Sequence, residues 1–158
     1  MSDDRLDMSE ERQNEERQFR PPASEWVRQQ LETIDATGDT KSVDIQGRPV
    51  VVLTILGARS GLWRRVPLMR VEQDGVYAVV ASAGGQPKHP VWYHNLLANP
   101  RIELQDGTET HALTARQVSG KERASWWEIC VAAFPPYAEY QTKTDREIPV
   151  LVCEPDQA

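Results

Sequence analysis

Two short segments carry groups whose chemistry goes beyond packing. The first, Gly57-Ala58-Arg59-Ser60-Gly61-Leu62-Trp63-Arg64-Arg65, sets guanidinium groups among glycine-bounded amides. The planar fork of an arginine matches the oxygens of a phosphate or carboxylate, so this turn suits an anionic tail. The second, Ser82-Ala83-Gly84-Gly85, precedes Pro90-Val91-Trp92-Tyr93-His94-Asn95. Small residues there leave backbone amides unobstructed beside an aromatic pair at the start of a helix, where a flat polar ring or a phosphate docks. Ordinary core packing is the competing reading of Trp92 and Tyr93. No Walker A loop, GxGxxG, nucleophile elbow or HExxH is present. His89 and His94 are five apart with no third ligand nearby, so no metal is expected. Ser60 and Ser82 lack a base at any recognisable spacing.

Charge supports the same region. The 158 residues have a net charge of −6, which argues against nucleic-acid binding. Between Ile45 and Ile102, however, seven basic residues face two carboxylates, Glu72 and Asp74, for a local +5; the remainder then carries −6 − 5 = −11. A central block nearly stripped of carboxylates suggests a pocket for an anionic ligand, with chance clustering on a solvated face as the alternative.

The elements that must position these segments form one domain. Residues 1–22 hold seven carboxylates against four arginines and read as a disordered acidic tail closed by Pro21-Pro22, leaving 23–158 as the folded unit. No apolar run approaches a membrane span and no secretory leader is evident, so a cytoplasmic protein is expected, with Cys130 and Cys153 as free thiols. Ser24 and Gly38 bracket an amphipathic helix over 25–37, whose apolar face could pack on the core, a partner or a membrane surface. The run 50–56 is a buried strand, and Asp74-Gly75 predicts that 65–72 and 76–82 are antiparallel neighbours. A helix over 91–98 separates this pair from a second hairpin, 101–105 with 109–118, turned at Asp106-Gly107. Ser119 and Glu122 form a capping-box pattern opening a helix that Pro135-Pro136 ends. Pro149 within 148–153 suggests an edge strand or a bulge. Six strands in mostly hairpin order with inserted helices predict an α+β fold with an antiparallel, barrel-like sheet.

The motifs also resemble a known family over residues 43–155. They are Leu53-Thr54 through Gly57, Arg59-Ser60-Gly61, Arg64 and Pro67-Leu68; then Val79-Val80-Ala81-Ser82, Gly84-Gly85, Pro90-Val91-Trp92-Tyr93, Asn95-Leu96 and Ala98-Asn99-Pro100. Pro136-Tyr137, Tyr140-Gln141, Thr144-Asp145-Arg146, Ile148-Pro149 and Val152-Cys153-Glu154-Pro155 follow. In this order and at these separations the chain resembles the deazaflavin-dependent nitroreductases of actinobacteria, split β-barrel (FMN-binding-like) proteins that use coenzyme F-420. The resemblance implies that Arg59 and Arg64 hold the phosphate and glutamyl tail, that Ser82 to Gly85 contact the deazaflavin, and that Trp92 and Asn95 help to bury it. Ser60, Gly61, Arg65, Pro67, Val80, Ala83 and Val91 complete the implied cofactor-binding set.

It further implies an acceptor pocket of Met69, Phe134, Tyr137 and Tyr140, with the two tyrosines as catalytic donors. Nitro-reducing members line this pocket with more tyrosines, and Met69 and Phe134 stand at two of those positions. A phenol donates to oxygen as charge develops, whereas Met and Phe do not. A quinone or activated enone is therefore the expected small-molecule acceptor, ahead of nitroimidazoles. Ala58 and Ala83 stand where the family often has basic residues. Two alternatives stay open: an FMN-dependent split-barrel oxidoreductase, and a non-catalytic protein that binds the deazaflavin or an amphiphile. Peripheral membrane contact through the N-terminal helix is a further expectation.

Overall fold

The apolar, β-branched run VVVLTIL forms β1 (Val50–Leu56) in the computed structural model, which describes residues 17–22 and 24–155. The other strands are β2 (Trp63–Met69), β3 (Glu72–Gln73), β4 (Val76–Val80), β5 (Arg101–Asp106), β6 (Glu109–Gln117) and β7 (Val150–Pro155). All pair antiparallel, in the order β2-β1-β5-β6-β7-β4-β3. The two outermost strands are joined by Arg70-Val71 alone. Three Cα steps reach about 11 Å, whereas the edges of a flat seven-stranded sheet lie about 29 Å apart. The sheet therefore curls toward closure, giving the expected α+β, barrel-like architecture.

That closure corrects the first hairpin. Residues 65–72 do not run alongside 76–82 as one strand. Most of them pair with β1, Val50 opposite Met69 through Leu56 opposite Trp63, and only Glu72 and Gln73 pair with Tyr77 and Val76. The chain leaves one sheet edge at Met69 and joins the other at Glu72. The run 150–155 is likewise no edge strand: β7 sits between β6 and β4. Pro149 just precedes it, where its missing N–H costs no ladder bond and its carbonyl accepts from Ala81 N at 3.0 Å.

Among the described residues four helices cover the barrel: α1 (Glu25–Thr37), α2 (Val91–Ala98), α3 (Gly120–Ala133) and α4 (Pro136–Thr142). The α1 caps form as expected. Ser24 Oγ accepts from Val27 N at 3.2 Å, and Gly38, at φ 72°, donates to Ile34 O at 2.7 Å. Its apolar face is used by the core, since Leu31 and Ile34 pack on Val52. At α3 the capping box does not form. Ser119 makes no side-chain cap, and Glu122 instead takes a bidentate bond from Arg116 at 2.7 and 2.8 Å. Pro135-Pro136 ends α3 but also opens α4, a helix the proline pair hides because proline suits a first helical turn.

Strand alternation splits the core in two. Leu53, Ile55, Val79, Leu104 and Leu151 fill the barrel with Tyr93 and Leu96 of α2. Val80, Val150 and Val152 face the other way, against Cys130, Phe134 and Tyr137 of the α3–α4 region. Cys130 and Cys153 are both buried free thiols, pushed up to about 12 by burial, so neither supplies a thiolate. Of the tail expected over 1–22, residues 1–16 lie outside the described residues. Residues 17–22 are docked along β2: Trp63 N donates to Gln18 O and Arg20 N to Trp63 O, both at 2.9 Å. Among the described residues no helix is long and apolar enough to cross a membrane.

Candidate functional site

A cleft of about 530 Å³ opens where α1, residues 19–22, β2 and the first turn of α2 meet. It gathers five of the residues expected to bind a cofactor, Arg64, Arg65 and Pro67 from β2 and Val91 and Trp92 from α2, and Val66 lines it beside them. Phe19, Pro21 and Pro22 wall it on one side and Val27 and Leu31 on another, so it is an apolar slot with cations at its edge.

Those cations are not equivalent. Arg65 forks onto both oxygens of Asp35 at 2.9–3.1 Å, and Arg28 is paired with Glu25 and Glu32. Arg70 is likewise committed, to Asp106 at 3.0 Å and Glu72 at 3.2 Å. Arg64 has no such partner among the described residues. Its Nε is buried without a hydrogen bond, and both desolvation and the charge of Arg20 hold its guanidinium below the ordinary arginine range. A desolvated donor facing a second cation fits an anionic group, and the chain keeps it without a carboxylate among the described residues.

The Gly57 turn is held from beneath. Asn95, buried on α2, accepts from Ala58 N at 3.0 Å through Oδ1, and Asn99 Nδ2 donates to Leu56 O at 3.1 Å. A Cβ on Gly57 would stand 2.6 Å from Ser60 Oγ and 2.9 Å from Leu62 O, so the tight loop needs glycine. This fastening presents Arg59, Ser60 and Gly61 outward, outside the lining of the cleft. Asn95 thus positions the turn.

The second segment folds into a compact turn in which Ala83, Gly84 and Gly85 all have positive φ, of 46°, 65° and 83°. The amides of Ala83 and Gly84 meet no acceptor among the described residues, and successive amides in such a turn form an anion- or carbonyl-binding concavity. Arg146 clamps the turn, donating to Ser82 O at 2.8 Å, Gln86 O at 2.9 Å, Ala81 O at 3.2 Å and His89 Nδ1 at 2.9 Å. His89 is held below its ordinary value by desolvation, then by Arg146 and His94. It therefore stays neutral and accepts at Nδ1. The role of Arg146 was not legible, because it rests on partners about sixty residues away.

The expected acceptor residues lie elsewhere. Met69, Phe134, Tyr137 and, partly buried, Tyr140 share the second core cluster with Val80, and none lines the cleft. Phe134 meets Tyr137 edge-on at 4.9 Å, and Tyr140 stands 6.3 Å from both rings. Burial drives the Tyr137 phenol far above its ordinary range, so it holds its proton at any assay pH. The 82–85 turn abuts this cluster: a Cβ on Gly85 would come 2.7 Å from Tyr140 O. Among the described residues no group of His, Cys, Asp and Glu could hold a metal.

Comparison with known proteins places the whole barrel in one family. The family model "F420H(2)-dependent quinone reductase" matches residues 26–155. A Mycobacterium tuberculosis H37Rv protein named an F420H(2)-dependent quinone reductase is 36% identical over 107 residues, 66% of this chain and 72% of that protein. A solved F420-H2 dependent reductase is 57% identical, with a TM-score of 0.65 over 71% of this chain and 99% of that one. Another solved chain, described as a domain-swapped dimer, is 55% identical with a TM-score of 0.67, covering 82% of this chain and 97% of that one. Matched along nearly all of its described barrel, the chain belongs to the F420H(2)-dependent quinone reductase family.

Proposed function

We propose that the protein binds reduced coenzyme F-420 and uses it to reduce a quinone or an activated enone. The observation that carries this reading is Arg64, whose buried Nε has no hydrogen bond and whose guanidinium has no counter-ion among the described residues, set at the edge of an apolar cleft that Trp92 lines. The coenzyme, when bound, supplies the hydride. The chain supplies orientation and charge. Arg64 and Arg59 grip the anionic tail, while the free amides of Ala83 and Gly84 hydrogen-bond the polar edge of the ring. Val80, Val91 and Trp92 exclude water from it, and Asn95 keeps the Arg59 turn in place. On the acceptor side, Tyr137 Oη or Tyr140 Oη donates to the oxygen on which negative charge develops, and Met69 and Phe134 shape an apolar wall.

The test follows absorbance of the reduced coenzyme with purified protein and a panel of acceptors. Turnover with a soluble quinone or cyclohexenone exceeding that with a nitroimidazole is the expected result. A protein that binds FMN more tightly than coenzyme F-420 would favour the flavin alternative. Tight coenzyme binding with no turnover on any acceptor would favour a carrier. Membrane contact by α1 would rest on its exposed Trp26, 49% accessible, since Leu31 and Ile34 are already engaged; co-sedimentation with anionic vesicles tests it.

A further inference from the structure

The cleft is not made by the barrel alone. Residues 17–22 lie N-terminal to the segment that matches the family model, yet Phe19, Arg20, Pro21 and Pro22 form one of its walls. This strap is fastened at several points. Arg17 pairs with Glu103 and stacks on the Trp63 ring at 4.5 Å, and the two backbone bonds around Trp63 fix the chain on either side of Phe19. Pro21-Pro22 then stiffens the turn into α1. The fastening brings the side chain of Arg20 to the cleft with no carboxylate or hydrogen-bond acceptor among the described residues, and close enough to bear electrostatically on Arg64.

We propose that Arg20 is a second cofactor-binding cation, carried to the cleft by the strap so that it and Arg64 grip one anionic group of the coenzyme tail between them. Two guanidiniums that line one cleft without a carboxylate among the described residues repel each other in the free protein, and a phosphate or carboxylate between them removes that repulsion while filling donors of both. Every other arginine lining the cleft already has its carboxylate, so these two are the pair with donors to offer. The inference rests on the cofactor reading above and adds to it a residue from outside the family-matched segment.

The experiment measures dissociation constants by fluorescence for wild type, Arg20→Ala, Arg20→Lys and Arg64→Met. The probes are coenzyme F-420 and the deazaflavin ring lacking the phosphate and glutamyl tail, each at low and high salt. Arg20→Ala is expected to weaken coenzyme binding about 10- to 100-fold, to flatten its salt dependence, and to leave the tail-less ring within about twofold of wild type. Arg20→Lys, which keeps the charge but loses the fork, should fall between. The unliganded melting temperature of Arg20→Ala should equal or exceed that of wild type, because among the described residues the side chain has no hydrogen-bond or carboxylate partner and its loss removes the repulsion on Arg64. Unchanged coenzyme affinity in Arg20→Ala beside a loss in Arg64→Met overturns the proposal and leaves the cofactor reading intact. Equal weakening of both probes also overturns it, since the strap would then act through shape. A wild-type chain that binds neither probe overturns the cofactor reading itself, and this proposal with it.

Discussion

Replacing Arg64 separates a binding charge from a structural one. Arg64→Met keeps most of the aliphatic stem against the cleft and removes only the guanidinium, so packing changes little. A hydrogen bond to a charged group contributes about 1.5 to 3 kcal/mol, and tenfold in affinity corresponds to about 1.4 kcal/mol, so coenzyme binding should weaken about 10- to 150-fold. The effect on folding should have the opposite sign. In the free protein this guanidinium has a buried Nε without an acceptor among the described residues and is repelled by Arg20, so its removal relieves two unfavourable terms. Fluorescence titration with coenzyme F-420 and thermal melting of the unliganded protein give the two quantities. Weaker binding with an equal or higher melting temperature is expected. A melting temperature lowered by several degrees with unchanged affinity would refute the reasoning, for Arg64 would then be a structural residue.

Three further outcomes follow from the same contacts. Asn95→Ala strands the Ala58 amide and loosens the Arg59 turn, at a cost of about 1 to 3 kcal/mol; a melt unchanged from wild type would show that the turn holds without it. Because the folded-state pKa of His89 lies below the ordinary 6.5, the unfolded chain binds its proton first, so stability is full above that ordinary value and falls as pH drops through it. Melts at about pH 7.5 and about pH 5.5 should show a loss that His89→Gln reduces; an identical loss in the variant would assign it to other groups. Tyr137→Phe keeps the ring against Phe134 and removes the donor, so turnover should fall about 10²- to 10³-fold with coenzyme affinity intact. Full activity in both Tyr137→Phe and Tyr140→Phe would remove the tyrosines from the mechanism.

What was legible in the chain is what local physics decides. The caps at Ser24 and Gly38, the buried run of β1 and the Asp106-Gly107 turn each depend on neighbours a few residues away, and each formed as read. The failures involve competitors outside the local motif. Glu122 had a local partner in the Ser119 capping box and another in Arg116, and the bidentate ion pair won over a single bond to a backbone N–H. The break at Arg70-Val71 carries no turn signal of its own; it exists because barrel closure needs the chain to pass from one sheet edge to the other.

The site divides in the same way, and its charges show why. The basic excess between Ile45 and Ile102 includes arginines that line the cleft, but the excess itself does not survive folding. Arg65 contributes to that excess, yet Asp35, thirty residues upstream, neutralises it. Arg70 is neutralised by Asp106, from just beyond the block. Linear counting cannot separate these from Arg64, because the distinction lies in which carboxylates the fold brings within reach. It also missed Arg20, which precedes a proline pair in an acidic segment and reaches the cleft only because Trp63 takes the backbone on either side of Phe19 as a short added strand. A structural arginine is offset in the folded chain by its own partner. One with a buried Nε left unpartnered among the described residues, beside another cation, costs the folded chain stability that an anion between the two would return, and the proposed pairing of Arg64 and Arg20 around the coenzyme tail rests on that imbalance.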